Sequence, residues 1–325
     1  MSFPLFRRPG TVVFLDDDAD YLEMLAMVLP RHWHLKLFIR PTECIDYLQQ
    51  EPPLWEADAW EQQQLVNSWR EGKPLIPQIL DYWSRATERY ALTQVCVFDY
   101  SMPGMDGLQA LGELVDWPGS RVLLTGQADE QVAVRAFNRG LIDQFVAKQT
   151  SDISARLVEA VENLMATPNA RHAQTWRLTL GPQENALLRT PSLARDLAKF
   201  AATHWIEHVV IGDPFGVLGM DAVGRVSWLQ LERPDGLKSL AELAELEGVR
   251  PSTLDEIRQG RQMADVELRQ ALGTGGKPEL RRVFSLGQDG GLLGALFDVE
   301  SPLCPSPGHS YSHWLARQGK RKVKD

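Results

Sequence analysis

Asp16 and Asp17, Asp99, Thr125 and Lys148 are the residues whose types and spacing suit chemistry. Each group follows a short apolar run: TVVFL before Asp16, QVCVF before Asp99, RVLL before Thr125 and QFVA before Lys148. Three carboxylates gathered in one place repel one another. A hard divalent cation such as Mg2+ relieves that repulsion, because carboxylate oxygens suit it. An ammonium and a hydroxyl beside them suit a phosphoryl group, whose oxygens need cationic and hydrogen-bonding partners. The implied chemistry is phosphoryl transfer to a carboxylate, giving an acyl phosphate on Asp99. Singly these residues say little, since an acidic triplet at a helix start often only complements the helix dipole. Their occurrence together, each at the end of a strand, carries the reading.

The elements that must position them alternate. Strands read at 11–15, 35–39, 94–98, 121–124 and 144–147, as continuous apolar, β-branched runs. Helices follow each one. After the acidic triplet, Leu22, Leu25, Ala26 and Leu29 give an amphipathic stripe, and Pro30 ends it. Five such repeats predict an α/β fold, a five-stranded doubly wound parallel sheet covered by helices on both faces. Ligands bind such sheets beyond the carboxyl ends of the strands, where the polar residues collect.

With these motifs in place, the first half resembles the receiver domain of two-component response regulators, a flavodoxin-like fold. FLDDDADYLEML is similar to that family's first strand, acidic cluster and first helix. VFDYSMPGMDGLQAL resembles its phosphoacceptor motif, with Pro103, Gly104 and Gly107 in place. LLTGQAD and FVAKQ resemble its threonine and lysine motifs. The resemblance covers about 11–165. It implies that Asp99 accepts phosphate from a histidine kinase or phosphotransfer protein. It implies that Asp17, Asp99 and the backbone carbonyl of Ser101 bind Mg2+, with Asp16 acting through water. Lys148 would contact the phosphoryl oxygens. Thr125 would swing toward the phosphate and Phe145 would turn inward, exposing a face for dimerisation or partner binding. The resemblance does not suggest an enzyme beyond assistance to its own phosphorylation and dephosphorylation.

Two departures stand out. Gln149 follows Lys148 where the family usually carries proline, which bears on the cis peptide usual there. Asp17 and Asp99 lie 82 positions apart, about forty more than the family layout and well beyond an ordinary connection. The excess falls at 51–93 and reads as two helices carrying Trp55, Trp60, Trp69 and Trp83. Tryptophans at such spacing predict helices buried against the receiver. The other reading is a docking surface for a protein partner.

The second half reads as a linker (166–195), an α+β domain (196–302) and a flexible basic tail (303–325). SLARDLAKFAATHWIEHV reads as a helix, which would place His204 and His208 one turn apart as ordinary helix residues. Two β-hairpins, turned at DAVG and QDGG, flank the helical segment 238–272. That order, with FGVLGMDAVGRVSWLQLE, resembles a PAS domain, a small antiparallel sheet with helices between its early and late strands, and implies ligand sensing or partner binding. The alternative is a helix-turn-helix at 239–262, turned at Gly248, that binds DNA. Its charge counts against it: five acidic residues stand against Arg250, Arg258 and Arg261.

Composition bounds the rest. The chain has 325 residues, 44% apolar and 24% charged, with a net charge of −9. That balance suits two ordinary globular domains and argues against a chain-wide nucleic-acid surface. Three separated cysteines form neither a disulfide framework nor a zinc pattern, which suits a reducing cytoplasm. No apolar run approaches the ~18 residues of a membrane span. GTGGKP (273–278) lacks the spacing of a phosphate-binding loop.

Overall fold

A computed structural model describes the whole chain apart from residues 1, 127–129, 168, 289, 320, 322 and 325. The chain folds into two compact units that share its length unevenly. One unit comprises 9–60, 88–169 and 312–325; the other comprises 1–8, 61–87 and 170–311.

In chain order, the strands are β1 (Phe6–Arg7), β2 (Thr11–Leu15), β3 (His34–Phe38), β4 (Thr93–Asp99), β5 (Ser120–Thr125) and β6 (Gln144–Ala147). There follow β7 (Glu207–Gly212), β8 (Phe215–Met220), β9 (Val226–Glu232), β10 (Gln262–Ala264), β11 (Leu280–Arg282), β12 (Phe284–Leu286), β13 (Leu292–Asp298) and β14 (Val323–Lys324). The helices of the first half are α1 (Ala19–Val28), α2 (Pro41–Gln49), α3 (Pro52–Arg70), α4 (Leu75–Arg85), α5 (Gly107–Gly112), α6 (Glu130–Asn138) and α7 (Ile153–Met165). Those of the second are α8 (Ala170–Arg177), α9 (Pro182–Leu187), α10 (Pro191–His204), α11 (Leu237–Leu246), α12 (Pro251–Arg258), α13 (Val266–Leu272) and α14 (Tyr311–Arg317).

The first unit is a parallel sheet in the order β14-β3-β2-β4-β5-β6. The five strands expected from sequence form its body; four are buried along most of their length, and the edge strand β6 is mostly half-buried. One face packs Val13, Leu15, Cys96, Phe98 and Leu123 against the α2, α5 and α6 side. The other packs Val12, Phe14, Val95, Val97, Val122 and Leu124 against α1 and α7. Side chains alternate between faces along each strand, so a fully apolar strand is what two covered faces require.

The sixth strand overturns the expectation of a flexible tail. β14 pairs in parallel with β3, Val323 opposite Leu37. Ahead of it, the Arg321 guanidinium donates to the carbonyls of Ala26, Leu29 and Trp33 at 2.9–3.1 Å, and to that of Pro30. A charged, forked donor satisfies carbonyls that the end of α1 leaves without helical partners. Trp314 meets the edge of His34 at 4.9 Å. Arg321→Ala is expected to free residues 312–325, read as faster limited proteolysis of the tail while the rest of the unit stays resistant.

The second unit is a six-stranded antiparallel sheet, ordered β1-β7-β8-β9-β13-β12, with a two-stranded β10-β11 ribbon. The expected sequence of early strands, helices and late strands is present, but three strands precede the helices, not two. Helix α10 stops at His204, and β7 begins at Glu207. His208 therefore lies on a strand and is no helical neighbour of His204. The reason is local: IEHVVIG is β-branched, and Trp205 already has extended backbone. His208 is buried, stacked on Phe3 at 5.1 Å, and burial first of all pushes its imidazole down to about 3.

The unit also gathers segments expected elsewhere. Residues 1–8 were read with the receiver, but β1 pairs with β7, and Phe3, Leu5 and Phe6 are buried. The expected linker folds as α8, α9 and the start of α10, with Trp176 buried and its Nε1 donating to Gln62 Oε1 at 2.8 Å. Helix α4 buries Ile76, Ile79, Leu80, Tyr82 and Trp83 in this unit, not against the parallel sheet. The insertion is helical as expected, but 61–87 belongs to the antiparallel unit.

Candidate phosphoacceptor site

The carboxyl edge of the parallel sheet assembles the residues that sequence singled out. β2 ends at Leu15, and Asp16 follows with 1% of its surface exposed. Asp17 is exposed. Asp18 caps α1, accepting from Tyr21 N at 3.0 Å, as a short polar side chain does best at a helix start. On the adjacent strand, Asp99 ends β4 with 3% exposure. Asp16, Asp17 and Asp99 bring one oxygen each to within 4.8 Å of one another.

Lys148 completes the group. Its Nζ lies 2.7 Å from Asp16 Oδ2 and 2.7 Å from Asp99 Oδ1. The backbone fixes it there, since Lys148 N donates to Thr125 O at 2.9 Å just beyond the β5–β6 pairing. Burial works to lower the Lys148 pKa, yet its hydrogen bonds to Asp16 and Asp99 leave it raised. Burial raises Asp16, against the pull of Lys148. The ammonium is thus held charged between two carboxylates.

The remaining expected residues stand around this pair. Thr125 ends β5 at the same edge and is buried. Ser101 N donates to Asp99 Oδ2 at 3.1 Å, which orients the carboxylate. Phe145 is half-buried and packs on the core face that holds Phe98 and Leu123. The cis peptide of the described residues precedes Pro214, so Lys148–Gln149 is trans. Part of the LLTGQAD motif, 127–129, lies outside the described residues.

The glycines of the loop after Asp99 have separate reasons. Gly104 has φ +80, a left-handed turn that L side chains rarely adopt. Gly107 packs directly under Asp99: a Cβ there would meet the Asp99 carbonyl oxygen at 2.2 Å. Gly107→Ala is expected to destabilise this unit by about 3 kcal/mol, read as a lower urea midpoint.

Two features were missed by sequence reasoning. Tyr21, one turn into α1, lies under Lys148, with Nζ 4.7 Å from the ring centroid. A cation over an aromatic face is attracted to it. The position of Tyr21, on the helix launched by the acidic triplet, was the available signal. The second feature is Glu51, at the base of the insertion. It accepts from Thr93 Oγ1 at 2.6 Å, Thr93 N at 3.2 Å, Tyr47 Oη at 3.0 Å and Trp117 Nε1 at 3.0 Å. Glu51 and Thr93 bound the inserted segment, so this carboxylate fastens its two ends together.

The site's chemistry is legible from its charges. Three carboxylates face one ammonium, which leaves the cluster anionic and suited to a divalent cation with oxygen ligands. The donor set fits Mg2+: two buried carboxylates, one of them oriented by Ser101 N, and an exposed third toward solvent.

No protein-family model and no curated protein matches this sequence. Among solved structures, the Legionella pneumophila response regulator LqsR is 22% identical, covers 98% of each chain and superposes with a TM-score of 0.70. The chain has the fold of a response regulator. Shorter matches include a Clostridium thermocellum response regulator receiver domain, with 15% identity, 48% of this chain, 94% of that chain and a TM-score of 0.31. A Methanospirillum hungatei receiver domain has 14% identity, 48% and 94% coverage and a TM-score of 0.30. The fold assignment rests on the first. In its terms the parallel-sheet unit has the receiver fold, and a separate antiparallel-sheet unit accompanies it. No described helix is long and apolar enough to cross a membrane.

The segment of the alternative DNA-binding reading folds as α11 and α12, with a turn at Gly248 of φ +79. Two of its three arginines are engaged locally. Arg258 pairs with Asp255 at 3.0 Å, and Arg261 with Glu256 at 2.5 Å. Arginines that face carboxylates of their own segment, as Arg258 and Arg261 do, offer little to phosphates.

Proposed function

We propose that the chain is a cytoplasmic two-component response regulator phosphorylated on Asp99. The observation that carries this is the Lys148 ammonium 2.7 Å from both Asp16 and Asp99, beside the exposed Asp17. The donor is a histidine kinase or phosphotransfer protein. An Asp99 carboxylate oxygen attacks phosphorus, a new O–P bond forms, and the donor's P–N bond breaks with its electron pair returning to the imidazole. Water later attacks the acyl phosphate and releases the Asp99 carboxylate with inorganic phosphate.

The chain's own residues prepare this step. Ser101 N holds Asp99 in one orientation. Lys148, kept charged by its two partners, moves with the transferred group and neutralises its oxygens. Asp17, Asp99 and the Ser101 carbonyl would hold Mg2+, with Asp16 acting through water. When bound, Mg2+ supplies positive charge to the phosphoryl oxygens. Phosphorylation adds about 1.5–2 negative charges, which draws Thr125 toward the site and lets half-buried Phe145 turn inward.

The output is sensing or interaction through the antiparallel unit, PAS-like in having helices between early and late strands. The pairing of Arg258 and Arg261 with nearby carboxylates favours this over DNA binding. No enzymatic output is assigned. The test is incubation with acetyl phosphate. One phosphoryl group is expected with Mg2+ and none with excess EDTA; labelling that ignores EDTA contradicts the reading.

A further inference from the structure

The antiparallel unit carries polar groups in its interior that its own fold leaves unmatched. Side chains alternate along β9, so Trp228, Gln230 and Glu232 share one face while Ser227, Leu229 and Leu231 share the other. Gln230 is 1% exposed, yet neither its amide oxygen nor its nitrogen has a hydrogen-bond partner among the described residues. Trp228 is fully buried, and its Nε1 is unpartnered in the same sense. Buried polar groups are nearly always hydrogen-bonded, so two together on one face call for an explanation.

The cross-strand neighbours of Gln230 are small. In register it faces Gly216 on β8 and Ala295 on β13. Neither has a side chain long enough to cover a glutamine amide. The Trp228 ring reaches over Gly216, where a Cβ would come within 2.4 Å of its Cζ2. Indole and amide therefore border the same ground.

A carboxylate stands at the next position along the face. Glu232 follows Gln230 there and reaches toward Gly236, ahead of α11, where a Cβ would meet its Oε1 at 2.0 Å. Glu267 of α13 interacts electrostatically with Glu232 and with Asp213 in the β7–β8 turn. Burial first, then the backbone N–H of Arg233 in opposition and the charge of Glu267, set Glu232 at about 7. Arg233 and Asp235 are the other charges that face it, and Arg233 is itself paired with Asp235 at 3.1 Å. Among the described residues, the cluster close enough to share a metal ion is Asp16–Asp17–Asp99, so these carboxylates do not form a metal site.

We propose that this face binds a small amine with a neighbouring carbonyl or carboxylate oxygen, an amino acid being the simplest form. Its N–H donors meet Glu232, Glu267 and the Gln230 amide oxygen. Its oxygen accepts from Gln230 Nε2 and Trp228 Nε1. The proposal rests on the sensory reading of this unit and is independent of phosphorylation at Asp99.

The test uses the full chain, with thermal-shift and calorimetric titration of the twenty amino acids and of putrescine, an amine without oxygen. At least one amino acid is expected to raise the melting temperature and to bind. Gln230→Leu is expected to melt no lower than wild type without ligand, because it removes an unsatisfied buried amide. It should weaken binding of that amino acid more than tenfold, and Glu267→Gln should weaken it too. The proposal is overturned if no amino acid binds, if putrescine alone binds, or if Gln230→Leu binds as wild type does. Acetyl phosphate labelling of Gln230→Leu should equal wild type, so failure here and failure at Asp99 are read separately.

Discussion

Asp99→Asn is expected to abolish labelling by acetyl phosphate, a loss of at least about 100-fold against wild type. The substitution keeps the size and the oxygen that accepts from Ser101 N, so the loop geometry survives. It replaces a nucleophilic carboxylate oxygen with an amide, which does not form the acyl phosphate. It also removes one of the two carboxylates that hold Lys148 Nζ at 2.7 Å. Lys148→Ala tests the other side of the pair. Asp99 then keeps its nucleophile but loses the cation that neutralises the transferred oxygens, and labelling should fall by about 10². Residual labelling in Lys148→Ala with none in Asp99→Asn would separate nucleophile from stabiliser. Equal labelling of wild type and Asp99→Asn would refute the assignment.

The second large effect concerns stability. Glu51→Ala should destabilise the receiver by about 3–5 kcal/mol, because it leaves several buried donors unpaired at about 1–3 kcal/mol each. Those donors are Thr93 N, Thr93 Oγ1, Tyr47 Oη and Trp117 Nε1, around a carboxylate only 3% exposed. Glu51→Gln retains an acceptor and should lose less than half as much. Urea unfolding followed by far-UV circular dichroism reads both. A Glu51→Ala midpoint equal to wild type would show that the insertion is not fastened at its base by this residue.

The two cases mark what sequence could and could not disclose. Asp16, Asp99, Thr125 and Lys148 were legible because each stands at the end of an apolar run, and a parallel sheet carries all such ends to one edge. The signal was local, and the topology made it a site. Glu51 gave no such signal. Its partners sit 4, 42 and 66 positions away, and nothing in EPPLW distinguishes a latch from a solvated charge.

The same limit applies to the division of the chain. MSFPLFRR was read with the strand that follows it, but Phe3, Leu5 and Phe6 are buried against the antiparallel unit. Trp83 was rightly read as a core residue, yet its core is in the other unit. Hydrophobic pattern tells which side chains are buried but not what buries them. The tail failed differently. HWLARQGKRKVKD looked like a solvated basic end, while Arg321 uses its charge to satisfy backbone carbonyls after α1. The His208 error came from extending a helical stripe into β-branched sequence, where the strand competes better.

The most direct test of the central claim is to locate the phosphoryl group. Wild-type protein would be incubated with acetyl phosphate and Mg2+, reduced with borohydride to trap the acyl phosphate, digested, and sequenced by tandem mass spectrometry. The account predicts homoserine at position 99 and aspartate unchanged at 16 and 17. Trapping at any other aspartate, or at none, would contradict it.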